Sequence, residues 1–242
     1  MTSPASPATV VLVHGAFADS SSWSRAVSRL AAAGVAAVAP ANPLRGLTAD
    51  GEYIASVVSQ LDGPVLLVGH SYGGPVITYA SAKAENAKGL VFVASFGVDQ
   101  GVSTLGSNEA FPPAELDSSL LPRTFPRGAE TGTEVYIQPE RFHSVFCADL
   151  PDDEAAVLAV SQCPATDVAF GEPLGVEPGW KRLPSWFVVA GSDHAINPDA
   201  ERAAAERMGS TVTEIAGGSH ATALTHADEV ARMIVGALGE IG

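Results

Sequence analysis

The stretch best suited to chemistry is Gly69-His70-Ser71-Tyr72-Gly73-Gly74, a serine with a glycine two residues away on either side. It follows a short apolar run and precedes a helical pattern. In that strand–turn–helix setting the spacing forces a sharp turn, and the glycines remove side chains that would otherwise collide. The turn holds the Ser71 hydroxyl exposed at a helix N-terminus, where positive partial charge favours a developing anion. A plain glycine-rich connection would share these letters, but the flanking strand and helix patterns favour a nucleophile.

A serine hydroxyl is a weak nucleophile until a base takes its proton, and the base needs an orienting carboxylate. The chain has six histidines. His14 and His70 sit inside turn motifs, and the strand carrying His70 is expected to aim it away from Ser71. His143 lies between Phe142 and Phe146 and reads as a packing or pocket residue. His194 adjoins a candidate acid, from which its side chain should diverge. His220 and His226 remain, and His220 is preferred because Gly217-Gly218-Ser219-His220 is a loop ahead of the last helix. His226 stands nearer Asp228, where capping or surface roles are usual.

For the acid, Gly191-Ser192-Asp193 ends an apolar run at the sheet edge where open α/β folds place their sites. Asp99, after an earlier strand, is the rival, and either aspartate could be an ordinary turn residue. The order Ser71, Asp193, His220 is the one a serine elbow of this kind uses. An oxyanion hole completes the set. His14-Gly15-Ala16-Phe17 closes the first strand, and the backbone N–H groups of Ala16 and Tyr72 are the assigned donors, each worth on the order of 3 kcal/mol to a transition state.

These residues need a scaffold. Apolar runs at Thr9–Val13, Ala36–Ala39, Val65–Val68, Gly89–Ala94, Trp186–Ala190 and Thr211–Ile215 lack polar alternation and suit buried parallel strands. Helical patterns lie between them: Ser24–Ala33 closed by Gly34, Asp50–Leu61 with Asp50 as N-cap, Pro75–Ala84, Asp199–Met208 and Asp228–Leu238. The alternation implies an α/β fold, a parallel sheet covered on both faces. Between Val98 and Leu183 the regularity breaks. That stretch is rich in proline and glycine at first, then helical at Pro139–Phe146 and Asp152–Val160. It is too long for a simple loop. The expected organisation is a core from 1–97 and 184–242, with 98–183 inserted as a cap.

Composition narrows the partners. The 242 residues carry 13 Lys+Arg against 27 Asp+Glu, a formal net charge of −14, which repels nucleic acid and anionic lipid. No apolar stretch reaches the roughly 18 residues of a membrane span. The two cysteines, Cys147 and Cys163, lack metal-ligand spacing and read as free, partly buried thiols. The N-terminus has no basic region ahead of its apolar run, so a cytoplasmic location is expected. No metal or cofactor is called for. Oligomeric state has no signature here.

Val11-Leu-Val-His-Gly-Ala-Phe, Val68-Gly-His-Ser-Tyr-Gly-Gly, Gly191-Ser-Asp-His and Gly218-Ser-His together resemble the α/β-hydrolase superfamily over essentially the whole chain. Within it, the short loop running on to Trp23 is similar to bacterial relatives of plant methylesterases and hydroxynitrile lyases. Those lyases typically have threonine after the loop histidine and lysine after the catalytic histidine; here Gly15 and Ala221 stand there, which disfavours the lyase reading. The resemblance implies a cofactor-free carboxylesterase. Ser71 would attack a small to medium apolar ester, His220 would shuttle the proton, and water would release the acyl enzyme. Phe17, Phe125, Phe142 and Phe146 are candidate pocket walls, with Phe170 and Trp180 as further aromatics of the cap. Lactone, amide or carbon–carbon bond hydrolysis would use the same triad, and a small-molecule receptor of this fold could retain it.

Overall fold

The computed structural model describes residues 7–241. Its main sheet has six strands: β1 (Thr9–Val13), β2 (Ala36–Val38), β3 (Val65–Ser71), β4 (Ala87–Ser95), β8 (Ser185–Ala190) and β9 (Thr211–Ile215). Their order is β2-β1-β3-β4-β8-β9, and every pairing is parallel. The central strands are buried along their whole length, which is why they read as unbroken apolar runs.

Alternate residues of each strand feed two separate cores. Val10, Leu12, Leu66, Val68, Val91 and Val188 pack against α1 (Ser24–Ala32) and α9 (Ala227–Ile241), with Trp23 at the end of that layer. Val11, Val13, Leu67, Phe92, Phe187 and Val189 face the other side. There they meet α2 (Leu47–Ser59), α3 (Gly73–Lys83) and α7 (Pro198–Met208). Full burial of each such aliphatic side chain contributes roughly 1.5–3 kcal/mol, and the double layer fixes the register of the sheet.

Gly34 ends α1 with φ +74°, as a C-terminal glycine should. The start of α2 differs from expectation. The helix begins at Leu47 rather than after Asp50, and Asp50 lies inside its first turn. Its carboxylate reaches back to accept the Arg45 and Gly46 amides at 3.1 and 3.4 Å, so it caps from within.

The segment between β4 and β8 forms a second sheet, β5 (Leu120–Arg127), β6 (Glu130–Ile137) and β7 (Ala165–Thr166), in that order and antiparallel. Three helices accompany it: α4 (Pro139–Phe146), α5 (Asp152–Val160) and α6 (Asp167–Gly171). A short α8 (Thr222–Thr225) precedes α9. α4 and α5 lie where the sequence places them; the hairpin is the unexpected element. Both cysteines are free, Cys147 buried and Cys163 partly so. Among the described residues no helix is long and apolar enough to cross a membrane.

Candidate active site

Three connections meet at the C-terminal edge of the sheet. The turn from β3 into α3 carries Ser71, whose φ of +51° lies in the left-handed region where a non-glycine residue is strained. The chain is packed against itself there. A Cβ on Gly69 would stand 2.5 Å from the Gly73 carbonyl oxygen, and one on Gly73 would stand 2.3 Å from that of Val13. Only glycine at both places allows the turn. On the neighbouring strand Ala94 also has positive φ, and the β3–β4 register slips between His70 and Ser71. This irregularity beside Ser71 brings the Ser95 hydroxyl to donate to the Ser71 carbonyl at 2.6 Å.

Asp193 follows β8 and His220 follows β9, and the structure brings them together. His220 Nδ1 donates to Asp193 Oδ2 at 2.6 Å, with both side chains buried. Asp193 Oδ1 accepts the Ala195 and Ile196 amides at 2.6 and 2.9 Å, so the carboxylate is clamped from two sides. Asp99 is not in this cluster. It sits partly exposed and pairs with Lys181 at 2.7 Å, which holds its carboxyl below the usual range.

The loop after β1 lies against the elbow. A Cβ on Gly15 would come within 2.6 Å of Ser71 Cβ and 3.2 Å of its Oγ. Among the described residues, neither the Ala16 nor the Tyr72 amide donates to an acceptor within the protein. The next amide, that of Phe17, donates to the Cys163 carbonyl at 2.8 Å and ties the loop to the inserted segment. Ser71 Oγ makes no hydrogen bond among the described residues; such contacts commonly close only when substrate binds.

The remaining histidines are accounted for. His14 Nδ1 donates to the Gly15 carbonyl and its Nε2 accepts the Asn42 amide, both at 2.9 Å, which fixes a neutral tautomer. Burial pushes its pKa down. His70 is not remote from the site. Its ring lies 4.7 Å from that of His220, and its Nε2 donates to the His220 carbonyl at 2.8 Å. Burial, with His220 beside it, lowers its pKa to about 3. His143 donates from Nε2 to the Leu150 carbonyl, and His194 and His226 face Glu115 and Asp149 at 3.3 Å.

Two small cavities flank Phe17 on the loop after β1, and neither is lined by Ser71, Asp193 or His220. One of about 60 Å³ is walled by Phe17, Phe96, Leu116, Phe170 and Ala195. Another of about 20 Å³ lies between Phe17, Phe142, Phe146 and Leu224. Phe17 borders both, and the Phe146 ring stands 5.0 Å from that of His220. Phe125 borders neither. It belongs to the unforeseen hairpin, where Arg45 lies over its ring at 4.8 Å. Trp180 is likewise a packing residue, its indole N–H donating to the Val98 carbonyl.

A family model described as the alpha/beta hydrolase family matches residues 10–233. The chain belongs to that family. Among solved structures, polyneuridine aldehyde esterase aligns at 19% identity and a TM-score of 0.82, covering 96% of this chain and 99% of that one. A pyrethroid hydrolase from Sphingobium faniae JZ-2 aligns at 18% and 0.76, covering 97% and 98%. A methylesterase from Arabidopsis gives 19% and 0.76, covering 96% and 99%. The family's fold therefore spans nearly all of the described residues, and the likeness to plant methylesterases holds at the level of fold. No curated protein sequence matches the chain.

Two neighbours of the site escaped the sequence. His70 was set aside by its place in the strand. Glu201, within the charged run Asp199-Ala-Glu-Arg, is fully buried on α7.

Proposed function

We propose that the chain is a serine carboxylesterase for small apolar esters, with Ser71 as nucleophile, His220 as base and Asp193 as the orienting acid. The buried 2.6 Å contact between His220 Nδ1 and Asp193 carries this reading, because it leaves Nε2 as the proton acceptor on a loop beside the elbow. Ser71 Oγ attacks the ester carbonyl as His220 Nε2 takes its proton. The carbonyl oxygen becomes an oxyanion held by the Ala16 and Tyr72 amides. His220 then returns the proton to the departing alcohol. Water attacks the acyl–Ser71 ester by the same route, releasing the carboxylic acid and restoring the serine.

Residues 98–183 serve as the cap, and Phe17, Phe142 and Phe146 line the approach. The larger of the two cavities is lined chiefly by apolar side chains, which favours an apolar acyl or alcohol group. The folds of an esterase, a methylesterase and a pyrethroid hydrolase support ester chemistry as the first to test. No cofactor enters any step.

Labelling with a fluorophosphonate and turnover of short-chain p-nitrophenyl esters test it. Ser71→Ala is expected to abolish both, and Asp193→Asn to lower kcat by on the order of 10⁴ while Asp99→Asn leaves it within a few-fold. Labelling that survives Ser71→Ala would exclude this nucleophile. Labelling of the wild type with no turnover of any ester would turn the reading toward a receptor.

A further inference from the structure

Glu201 is a fully buried acid that the proposed reaction does not use. Its Oε2 accepts the Ala190 amide of β8 at 3.1 Å, and its carboxyl lies beside that of Asp193. Two ionised carboxylates are acceptors only, so neither can donate to the other. Taken as ionised, Glu201 Oε1 is left buried with no donor to satisfy it. An orphaned acceptor beside a like charge is a costly arrangement, and a single proton removes both faults. Few groups oppose that proton. Arg202 is the neighbouring cation, but it is exposed and engaged by Asp199 and Glu214, both at 2.6 Å. His220 donates to Asp193 Oδ2.

We propose that Glu201 is a neutral carboxylic acid that donates its O–H to the Asp193 carboxylate and so positions the acid of the triad. Asp193 then has a donor on every side: two amides of its own loop, the imidazole and the Glu201 hydroxyl. Burial and the Asp193 charge both push the Glu201 pKa well above the usual carboxylate range, in agreement with this. Glu201 touches no reacting atom. It acts through Asp193 and rests on the triad reading.

The test pairs Glu201→Gln with Glu201→Leu. Glutamine can accept the Ala190 N–H and donate an amide N–H to Asp193, as the neutral acid does; leucine can do neither. At neutral pH, Glu201→Gln should keep kcat within about threefold and Glu201→Leu should lose about tenfold or more, with KM little changed in both. On the alkaline side, wild-type kcat should fall as the Glu201 proton leaves and two carboxylates meet, and Glu201→Gln should lack that fall. An infrared difference spectrum at neutral pH should show an un-ionised carboxylic acid band in the wild type that is missing from Glu201→Gln. Absence of that band overturns the proposal, as does a glutamine variant as impaired as the leucine one. The band needs no turnover. A protein that shows it yet hydrolyses no ester would therefore overturn the esterase reading while leaving the shared proton in place.

Discussion

At the scale of single residues, the site depends on atoms that are missing. Gly15 sits where any side chain would press on Ser71 Cβ at 2.6 Å and on the His70 carbonyl at 2.9 Å. Neither neighbour can give way easily, because one is the strained elbow and the other is backbone. Threonine, the residue of the lyases that this loop otherwise resembles, would add a branched side chain at that point. Gly15→Thr should thus push the elbow out of line with the Ala16 and Tyr72 amides. A displacement of about 1 Å there costs on the order of 100-fold in kcat/KM. Gly15→Ala should show a smaller loss in the same direction. Rates with p-nitrophenyl acetate, read beside fluorophosphonate labelling rates, would check this. A threonine variant as active as the wild type would mean that the loop is not packed against the nucleophile.

Elements set those residues at their distances, and one helix has a particular hold on the elbow. Tyr72 follows the nucleophile, and its buried hydroxyl donates to Asp50 Oδ2 on α2 at 2.9 Å. The same carboxylate caps α2 through Arg45 and Gly46, so a single side chain ties the helix start to the turn after β3. Tyr72→Phe should cost about 1–2 kcal/mol, the worth of one such hydrogen bond, and Asp50→Ala about twice that because buried donors are orphaned. Urea unfolding would measure both; equal losses would show that the amide bonds contribute nothing. This tie was hidden in the sequence because Asp50 resembled an ordinary N-cap. The strands and helices of the core were legible, since burial on both faces or on one face leaves periods that composition alone displays. Ser71, Asp193 and His220 were legible for the same reason: each stands in a connection at the end of a readable strand. The hairpin of β5 and β6 was not. Pro122 and Pro126 argue against a strand, and they are tolerated because β5 is the edge of its small sheet. Phe125 lies on that hairpin and lines neither of the two cavities beside Phe17. Glu201 carried a usable signal, because Glu201, Ala204, Ala205 and Met208 share one helical face and all are buried. A carboxylate at the first position of an otherwise apolar stripe marks a buried acid.

For the whole molecule, the buried titratable groups make stability depend on pH in two opposing ways. His14 and His70 are neutral in the fold, with His70 lowered from 6.5 to about 3. Between those values the unfolded chain binds a proton that the fold excludes, so their contribution is complete above pH 6.5 and is lost as pH falls toward 3. Glu201 and Asp50 are raised, chiefly by burial. The fold keeps protons that the unfolded chain has released, so stability falls as pH rises from the ordinary carboxylate range toward their raised values. The net charge of −14 adds self-repulsion that also weakens on acidification. Replacing one histidine separates these effects, because the carboxylates and the net charge act alike in both proteins. His70→Gln keeps a donor for the His220 carbonyl and cannot titrate. Each pH unit below 6.5 should cost the wild type about 1.4 kcal/mol through His70 alone. Over about two pH units, urea unfolding should therefore find the wild type losing about 3 kcal/mol more than His70→Gln. Parallel pH profiles in the two proteins would mean that His70 takes up its proton in the fold as readily as in the unfolded chain. Below pH 6.5 the imidazole would then carry a charge 4.7 Å from the His220 ring.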